Sequence, residues 1–252
     1  LGSAIGLPPL TGAFAFSVAA QSAAALVYLA GLRPDPLLAA MSMRDMSTEA
    51  PRPRSGTLII RSNPRARYAV AAVALSHATM VALMSMTPVH LREHGASLTI
   101  VGFTISLHIA GMYALSPVFG WLADKGGRLR VILLGQGMLL ASLIIAGVAA
   151  DSRTGVTVSL ILLGLGWSAS VVAGSAMVAE SVHIQDRPAI QGVSDLSMNA
   201  AGALGGALAG PVLASMGYSG LGFIAMTLVG VVVIWTGLHS RAASAHPQPE
   251  HS

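Results

Sequence analysis

The chain has 252 residues, of which 54% are hydrophobic and only 10% are charged, and its formal net charge is +4 at pH 7. A soluble domain carries about 25% charged residues, so this composition excludes an ordinary water-soluble protein and indicates a surface that faces lipid. The chain contains no cysteine, which excludes disulfides and thiolate metal sites.

Long apolar runs follow one another along the whole chain. A helix rises about 1.5 Å per residue, so about 20 apolar residues cross a hydrocarbon core about 30 Å thick. The runs are rich in Ala, Leu, Gly and Val and lack the alternation of a transmembrane barrel. We therefore predict an all-α, polytopic membrane protein. The predicted spans are 11–31, 68–90, 98–122, 129–150, 155–180, 189–216 and 219–239.

The first residues of the chain resemble the last part of a transmembrane span. Leu1 is the first residue, and residues 1–8 resemble the tail of a preceding span. The segment lacks the basic stretch and short apolar core of a signal peptide. We expect a fragment in which residues 1–31 are the end of an N-terminal bundle, a stub followed by one transmembrane helix. Translation from Met41 would instead give a bare six-helix half.

Residues 32–67 contain five prolines and many serines and arginines. This composition predicts a flexible linker, with a short interfacial helix near Leu37–Met43. The linker separates residues 1–31 from a predicted six-helix transmembrane bundle, residues 68–240. Residues 241–252 form a predicted tail.

The basic residues predict the orientation of the spans. If every run crosses the membrane, 12 of the 14 Lys and Arg fall on one side, leaving only Arg92 and Arg153 on the other. The positive-inside rule makes the richer side cytoplasmic, together with the linker and the C-terminus. The same distribution argues against nucleic acid as a partner, because the positive charges lie at the ends of apolar spans. We expect a bacterial cytoplasmic membrane protein.

The stretch GWLADKGGRLR, residues 120–130, places four charges between two apolar runs. It matches G-x-L-A-D-[RK]-x-G-R with a further basic residue beyond it, and it resembles the signature loop of the major facilitator superfamily. In that family the loop joins the second and third helices of a six-helix half and latches the two halves in one state of the transport cycle. The alternative is an ordinary basic turn. The residues in question are Gly120, Asp124, Lys125, Gly127, Arg128 and Arg130.

Other stretches are similar to a bacterial branch of the same superfamily. They are LRPDPL (32–37), SLHIAGMYALSPVFG (106–120), LLGLGW (162–167) and QGVSDLSMNAAGALGG (191–206). The resemblance implies helices six to twelve of a twelve-helix secondary transporter that moves a small molecule by alternating access. It implies no cofactor and no enzymatic activity, and it makes the N-terminal half of the same polypeptide the partner that completes the site.

Polar residues at membrane depth are costly and therefore candidates for function. His77, His108 and Asp195 lie about 12–18 Å from the basic ends of their spans, near the midplane. Gln191, Asp195 and Asn199 follow one helix face. Asp195 is the candidate proton-coupling carboxylate, because low dielectric raises a carboxyl pKa; the alternative is a structural carboxylate near the interface. For the two histidines the alternative is helix–helix hydrogen bonding, and Gln136 lines the cavity or packs.

A glycine motif and a group of large side chains also have two readings each. Gly202, Gly206, Gly210 and Pro211 form G-x-x-x-G-x-x-x-G-P, which permits close helix packing. The motif is similar to one in the superfamily's antiporters, which hints at export. Five further residues either line an adaptable apolar pocket or face lipid and neighbouring helices. They are Met80, Met84, Met86, Tyr113 and Trp167.

The stretch HLREH, residues 90–94, matches a zinc-protease signature. It would make the protein a membrane metalloprotease through His90, Glu93 and His94. The match straddles the end of a span, where a third ligand and a stable helix are not expected, so we predict no metal. A third alternative is a non-transporting receptor or assembly subunit built on the same half-fold. The substrate, its direction of transport and the coupling ion are not encoded in any motif that we identify.

Overall fold

The computed structural model describes residues 12–31 and 54–244, and every regular element within those ranges is a helix. The chain forms two compact units, residues 1–52 and 53–252. The first contains α1, Gly12–Gly31, an apolar helix of 20 residues. Its side chains, where described, are exposed, as expected for a helix whose partners are lipid or other helices.

The second unit is a helical bundle whose spans end where the apolar runs end. Five of its helical segments are long and apolar enough to cross a membrane, counted within the described residues. The all-α, polytopic fold predicted from the sequence is confirmed. The elements are α2 Gly56–Ser62, α3 Pro64–Glu93, α4 Leu98–Tyr113, α5 Ser116–Gly126, α6 Arg128–Val148, α7 Arg153–Glu180, a 3-10 turn Ile184–Asp186 and α8 Arg187–Ser244.

The last helix, α8, is interrupted at Gly217, whose φ is 68°. Residues with a side chain rarely adopt this left-handed conformation, so glycine permits the sharp change of direction there. The interruption divides α8 into two arms, 187–216 and 218–244, which coincide with the predicted spans 189–216 and 219–239.

The predicted span 98–122 is two helices, α4 and α5, which the sequence analysis treated as one. Pro117 lies in the first turn of α5. Its ring lacks an N–H group and clashes with the carbonyl of the residue four positions earlier, Tyr113, where α4 ends. The Ser116 hydroxyl donates to that Tyr113 carbonyl over 2.8 Å. The break therefore leaves this carbonyl satisfied in the middle of the apolar segment.

The segment predicted as a flexible linker, residues 32–67, is described only from residue 54 onward, where it is largely helical. It contains α2 and the first turn of α3, which Asn63 caps by accepting from the N–H groups of Arg65 and Ala66. The interfacial helix expected near Leu37–Met43 lies outside the described residues.

Glycines bring the central helices close together. A Cβ atom added to Gly135 would lie 2.7 Å from the Gly166 carbonyl oxygen, so α6 and α7 pack backbone against backbone. A Cβ atom on Gly164 would likewise clash with the His108 carbonyl, which brings α4 onto α7. These contacts fix α7 between its neighbours and set the positions of the polar side chains at mid-bundle.

Candidate transport site and the two ends of the bundle

Three ring side chains meet halfway along the bundle. His77 on α3 and Trp167 on α7 are both half-buried, and the Trp167 indole N–H donates to His77 Nδ1 over 3.0 Å. Tyr113, at the end of α4, packs edge-to-face on Trp167 with ring centroids 6.2 Å apart. We call His77, Tyr113 and Trp167 the ring cluster. It joins the helix break after Tyr113 to the hydrogen bond between Trp167 and His77.

The N-terminal arm of α8 closes one side of the ring cluster. A Cβ atom on Gly202 would lie 2.8 Å from His77 Nε2, so the missing side chain leaves room for the imidazole. Gly206 faces Val81, and Gly205, which the sequence analysis did not single out, faces the Ala78 backbone. Gly210 has no neighbour that a Cβ atom would meet within 4 Å. The packing part of the glycine motif is therefore centred on 202–206.

The predicted polar stripe on α8 begins one helical turn into that arm, near the arginine-rich end. Gln191 donates to the Asp195 carboxylate over 2.9 Å, and the Asn199 amide donates to the Asp195 main-chain carbonyl over 2.8 Å. Asp195 and Asn199 are exposed. Asp195 precedes Gly202 by about two helical turns, so it lies on nearly the same face as the glycine beneath His77. The carboxylate is thus oriented by a neighbouring amide and open to its surroundings.

His108 is completely buried, and it bonds helix to helix. Its Nδ1–H group donates to the Leu160 carbonyl over 2.8 Å, which ties α4 to α7. Its Nε2 atom is also buried and has no hydrogen-bond partner among the described residues. This geometry matches the structural alternative, and it separates His108 from the exposed stripe on α8.

Gln136 is also in the core of the bundle and does not reach a cavity surface. Its amide nitrogen donates to Ser76 Oγ over 2.8 Å and to Ser170 Oγ over 3.0 Å. The network links α6 to α3 and α7 through buried polar groups. Met80 is buried as well, and Met84 and Met86 pack against the same apolar core. Of the large side chains considered for an apolar pocket, Tyr113 and Trp167 are therefore the two in the ring cluster.

One end of the bundle is rich in arginine. The Arg128 guanidinium binds Asp124 at 2.5 Å and Glu180 at 2.7 Å, and Arg65 lies 3.9 Å from the same glutamate. Gly127, with φ 95°, ends α5 and starts α6. The motif loop is thereby tied to the last residue of α7. Lys125 and Arg130 make no ion pair within the described bundle, and both side chains are exposed. Gly120 lies beside Val172 of α7.

The helix α2 is fastened across the same arginine-rich end. The Arg54 main-chain N–H and Nε–H groups donate to the two carboxylate oxygens of Asp186, at 2.9 and 3.3 Å. The Asn63 amide donates to the Ser181 carbonyl over 2.6 Å. Between them Gly56 faces the Ala189 carbonyl so closely that a Cβ atom would clash. These contacts hold both ends of α2 against the turn from α7 to α8.

The opposite end, which we call the histidine end, is held mainly by neutral groups. The Tyr218 ring stacks on His90 with centroids 4.2 Å apart, and its hydroxyl shares a hydrogen bond of 2.9 Å with Thr87. The His94 ring lies 3.6 Å from the exposed Asp151 carboxylate. A cavity of about 530 Å³ beside the Gly217 interruption is lined by His90, His94, Asp151 and Tyr218, among others.

The histidines of the HLREH stretch make hydrogen bonds to main-chain carbonyls at the end of α3. His90 Nε2–H donates to the Ala150 carbonyl and His94 Nδ1–H donates to the His90 carbonyl, both over 2.8 Å. The described residues contain no group of three or more His, Cys, Asp or Glu able to hold a metal ion. The HLREH stretch is a helix end.

Comparisons with known proteins agree with the motif. The sequence model of the Major Facilitator Superfamily matches residues 69–252. The chain is 38% identical to the uncharacterized MFS-type transporter YddS of Bacillus subtilis over 240 residues, 92% of this chain and 55% of that protein. It is 36% identical to YdeG of the same organism over 91% of this chain and 55% of that protein.

A third relative carries a substrate in its name. The riboflavin transporter RfnT of Brucella anthropi is 30% identical over 178 residues, 70% of this chain and 44% of that protein. The chain thus spans about half the length of the curated relatives that it matches.

Proposed function

The chain belongs to the major facilitator superfamily, and from this premise we propose that it is the C-terminal half of a secondary active transporter. The whole protein moves a small molecule across the bacterial cytoplasmic membrane by alternating access. The observation that carries the proposal is the ring cluster. It places aromatic rings and a hydrogen-bonding imidazole at a helix break in mid-bundle, the depth at which secondary transporters bind substrate.

The proposed orientation has the arginine-rich end and the C-terminus in the cytoplasm. This chain contributes no cysteine, so the test uses single cysteines introduced into a full-length protein whose remaining part has also been made cysteine-free. We expect Ser62→Cys, at the end of α2, to react with an impermeant maleimide only after the cells are opened. The matched variant Ser152→Cys, at the start of α7, reacts in intact cells. The reverse pattern would overturn the orientation.

Proton coupling is proposed through Asp195. Its exposed carboxylate is oriented by Gln191 and lies on the same face as the glycine beneath His77, about 10 Å along the helix. We propose that this carboxylate binds and releases a proton as the transporter opens to each side in turn. The neutral amide of Asp195→Asn keeps the shape and removes the proton-binding group.

Uptake or efflux of riboflavin by the full-length protein in proteoliposomes, with and without a pH gradient, is the first assay. Riboflavin is chosen because one relative is named for it. We expect the gradient to accelerate transport in one direction and Asp195→Asn to abolish that acceleration. Asp151→Asn, at the histidine end, is the matched control and keeps it. Gradient-dependent transport that survives in Asp195→Asn would remove Asp195 from the coupling role. Export is the proposed direction, from the α8 glycine motif.

A further inference from the structure

The ring cluster lies at the same depth on three different helices. His77, Tyr113 and Trp167 are each about 20 Å from both ends of α3, of the α4–α5 pair and of α7 respectively. The three side chains are in contact through the Trp167–His77 hydrogen bond and the Tyr113–Trp167 ring contact. Three helices therefore contribute rings to one contiguous surface in the middle of the bundle.

The shape of this surface suits a flat ring. The planes of Tyr113 and Trp167 meet at 75°, so the two rings form the walls of a corner. Aromatic pairs are attractive both when stacked with an offset and when edge meets face. A planar ring that stacks on one wall therefore presents its edge to the face of the other and gains both contacts at once. Tyr113 is 60% exposed, which leaves one wall open to a ligand.

The open side of the corner does not suit hydrocarbon. The Tyr113 hydroxyl makes no hydrogen bond with any residue of the described bundle. At about 20 Å from either helix end it is too deep to reach the membrane interface. Lipid tails offer no partner, and an unsatisfied polar group in the membrane core is expensive. The hydroxyl is satisfied if this side faces the polar space between the two halves of the transporter.

The third member of the cluster supplies a hydrogen-bond donor. Trp167 N–H donates to His77 Nδ1, so the neutral imidazole carries its proton on Nε2. That Nε2–H group lies over Gly202 and has no acceptor among the residues that the structure describes. A ligand in the corner would therefore satisfy the site best with a carbonyl oxygen or a ring nitrogen at its edge.

We propose that the ring cluster is the substrate subsite and that the substrate class is planar aromatic molecules bearing a hydrogen-bond acceptor. The ring lies in the corner between Tyr113 and Trp167, and the acceptor receives the His77 Nε2–H group. This assignment rests on the proposed transport function, because it deepens the same site. The assignment predicts that transported compounds are planar, aromatic and able to accept a hydrogen bond.

The test is ligand binding to the full-length protein, measured separately from transport. The probe is lumichrome, a fluorescent molecule of three fused rings with carbonyl acceptors, titrated onto purified protein in detergent. Tyr113→Ala and Trp167→Ala are expected to weaken binding about three- to tenfold each, the range of one aromatic contact. Trp121→Ala removes an exposed ring of α5 outside the ring cluster and is the matched control, with affinity unchanged. His77→Phe keeps a ring and loses the donor, and weakens binding by a similar factor.

A second pair of probes isolates the aromatic requirement. Benzamide and cyclohexanecarboxamide share the amide and differ in the ring, and only benzamide is expected to displace lumichrome. Equal displacement by the two amides, an absence of lumichrome binding, or an affinity in Tyr113→Ala equal to that of the native protein would each overturn the subsite. Binding without transport of lumichrome, riboflavin or any other compound would instead overturn the transport function and leave the aromatic subsite in place.

Discussion

The two ends of the bundle are fastened by different chemistry. At the arginine-rich end, Arg128 forms ion pairs with Asp124 and Glu180, and Arg54 forms an ion pair with Asp186. At the histidine end, the closest contacts are the Tyr218–His90 stack and the Tyr218–Thr87 hydrogen bond, and the His94–Asp151 pair is more open. The arginine-rich end also contains the buried Tyr68–Thr236 hydroxyl pair and the Tyr68–Trp235 ring contact. Among the described residues the two ends therefore differ in their ion pairs, with four at the arginine-rich end and one, His94–Asp151, at the histidine end.

The two sets of contacts are expected to respond differently to salt and to changes in side-chain shape. Exposed ion pairs are weak individually and are screened by salt. Buried stacks and hydroxyl pairs are insensitive to salt but depend on shape. In the proposed alternating-access cycle, contacts at each end would break in turn, and the two sets of contacts could then be changed independently by substitution.

The largest effect is expected from Asp186→Ala. The Asp186 side chain is only 7% exposed and accepts two hydrogen bonds from Arg54. Hydrogen bonds to charged groups contribute about 1.5–3 kcal/mol, so the variant should lower the free energy of unfolding by about 2 kcal/mol. Thermal unfolding in detergent measures the change. Asp151→Ala is the matched control at the histidine end, where the carboxylate is fully exposed, and its melting temperature should not change. Equal shifts would contradict the comparison.

Tyr218→Phe tests the neutral fastening at the other end. The variant keeps the stack on His90 and removes the hydroxyl that pairs with Thr87, whose own hydroxyl still donates to the Leu83 carbonyl. The expected loss of unfolding free energy is about 1 kcal/mol, read from the same unfolding curves. Tyr113→Phe, which removes an exposed hydroxyl, is the control and is expected to have no effect. A neutral Tyr218→Phe would show that the stack alone holds this end.

Arg128→Lys is expected to cost about 0.5 kcal/mol. Arginine reaches Asp124 and Glu180 together with its planar fork, and a lysine ammonium cannot reproduce that geometry. Because both carboxylates are partly solvated, solvent screening keeps the cost small. Arg130→Lys is the matched control, since Arg130 makes no ion pair among the described residues, and its unfolding curve should overlay that of the native protein. A loss above 2 kcal/mol for Arg128→Lys would show that the network is less solvated than the contacts indicate.

The smallest expected effect is a difference in how salt changes the unfolding penalties of Arg128→Lys and Tyr218→Phe. At 1 M salt the Debye length is about 3 Å, so the penalty of Arg128→Lys should shrink by a few tenths of a kcal/mol. The penalty of Tyr218→Phe should stay constant over the same range. Unfolding of both variants at rising sodium chloride measures this. Parallel salt dependence in the two variants would mean that the ends do not differ in the way their contacts suggest.

The sequence predicts the helices well because the length of an apolar run reports a membrane crossing directly. The gap between the predicted spans 189–216 and 219–239 falls at Gly217, the residue with positive φ. The break between α4 and α5 escaped prediction because residues 98–122 form an uninterrupted apolar run. The available signal was Pro117, which disrupts a helix four residues before itself.

Contacts between distant residues were beyond the reach of sequence patterns. Arg54 and Asp186 are 132 positions apart, and His77 and Trp167 are 90 apart, so no local spacing brings them together. The sequence does indicate that His77 and His108 lie at similar depth. It does not distinguish the imidazole beside an exposed ring from the one buried against Leu160. The roles of Asp195 and of the motif loop in transport stay predictions.

The hydrogen bond from the Ser116 hydroxyl to the Tyr113 carbonyl has a consequence for how this protein can change over generations. Pro117 creates the unsatisfied carbonyl, and Ser116 satisfies it. Loss of Ser116 alone exposes the defect, whereas loss of Pro117 alone removes the reason for the serine. We therefore expect the two positions to be inherited as a pair, with Ser116 free to drift only in lineages that have first given up the proline.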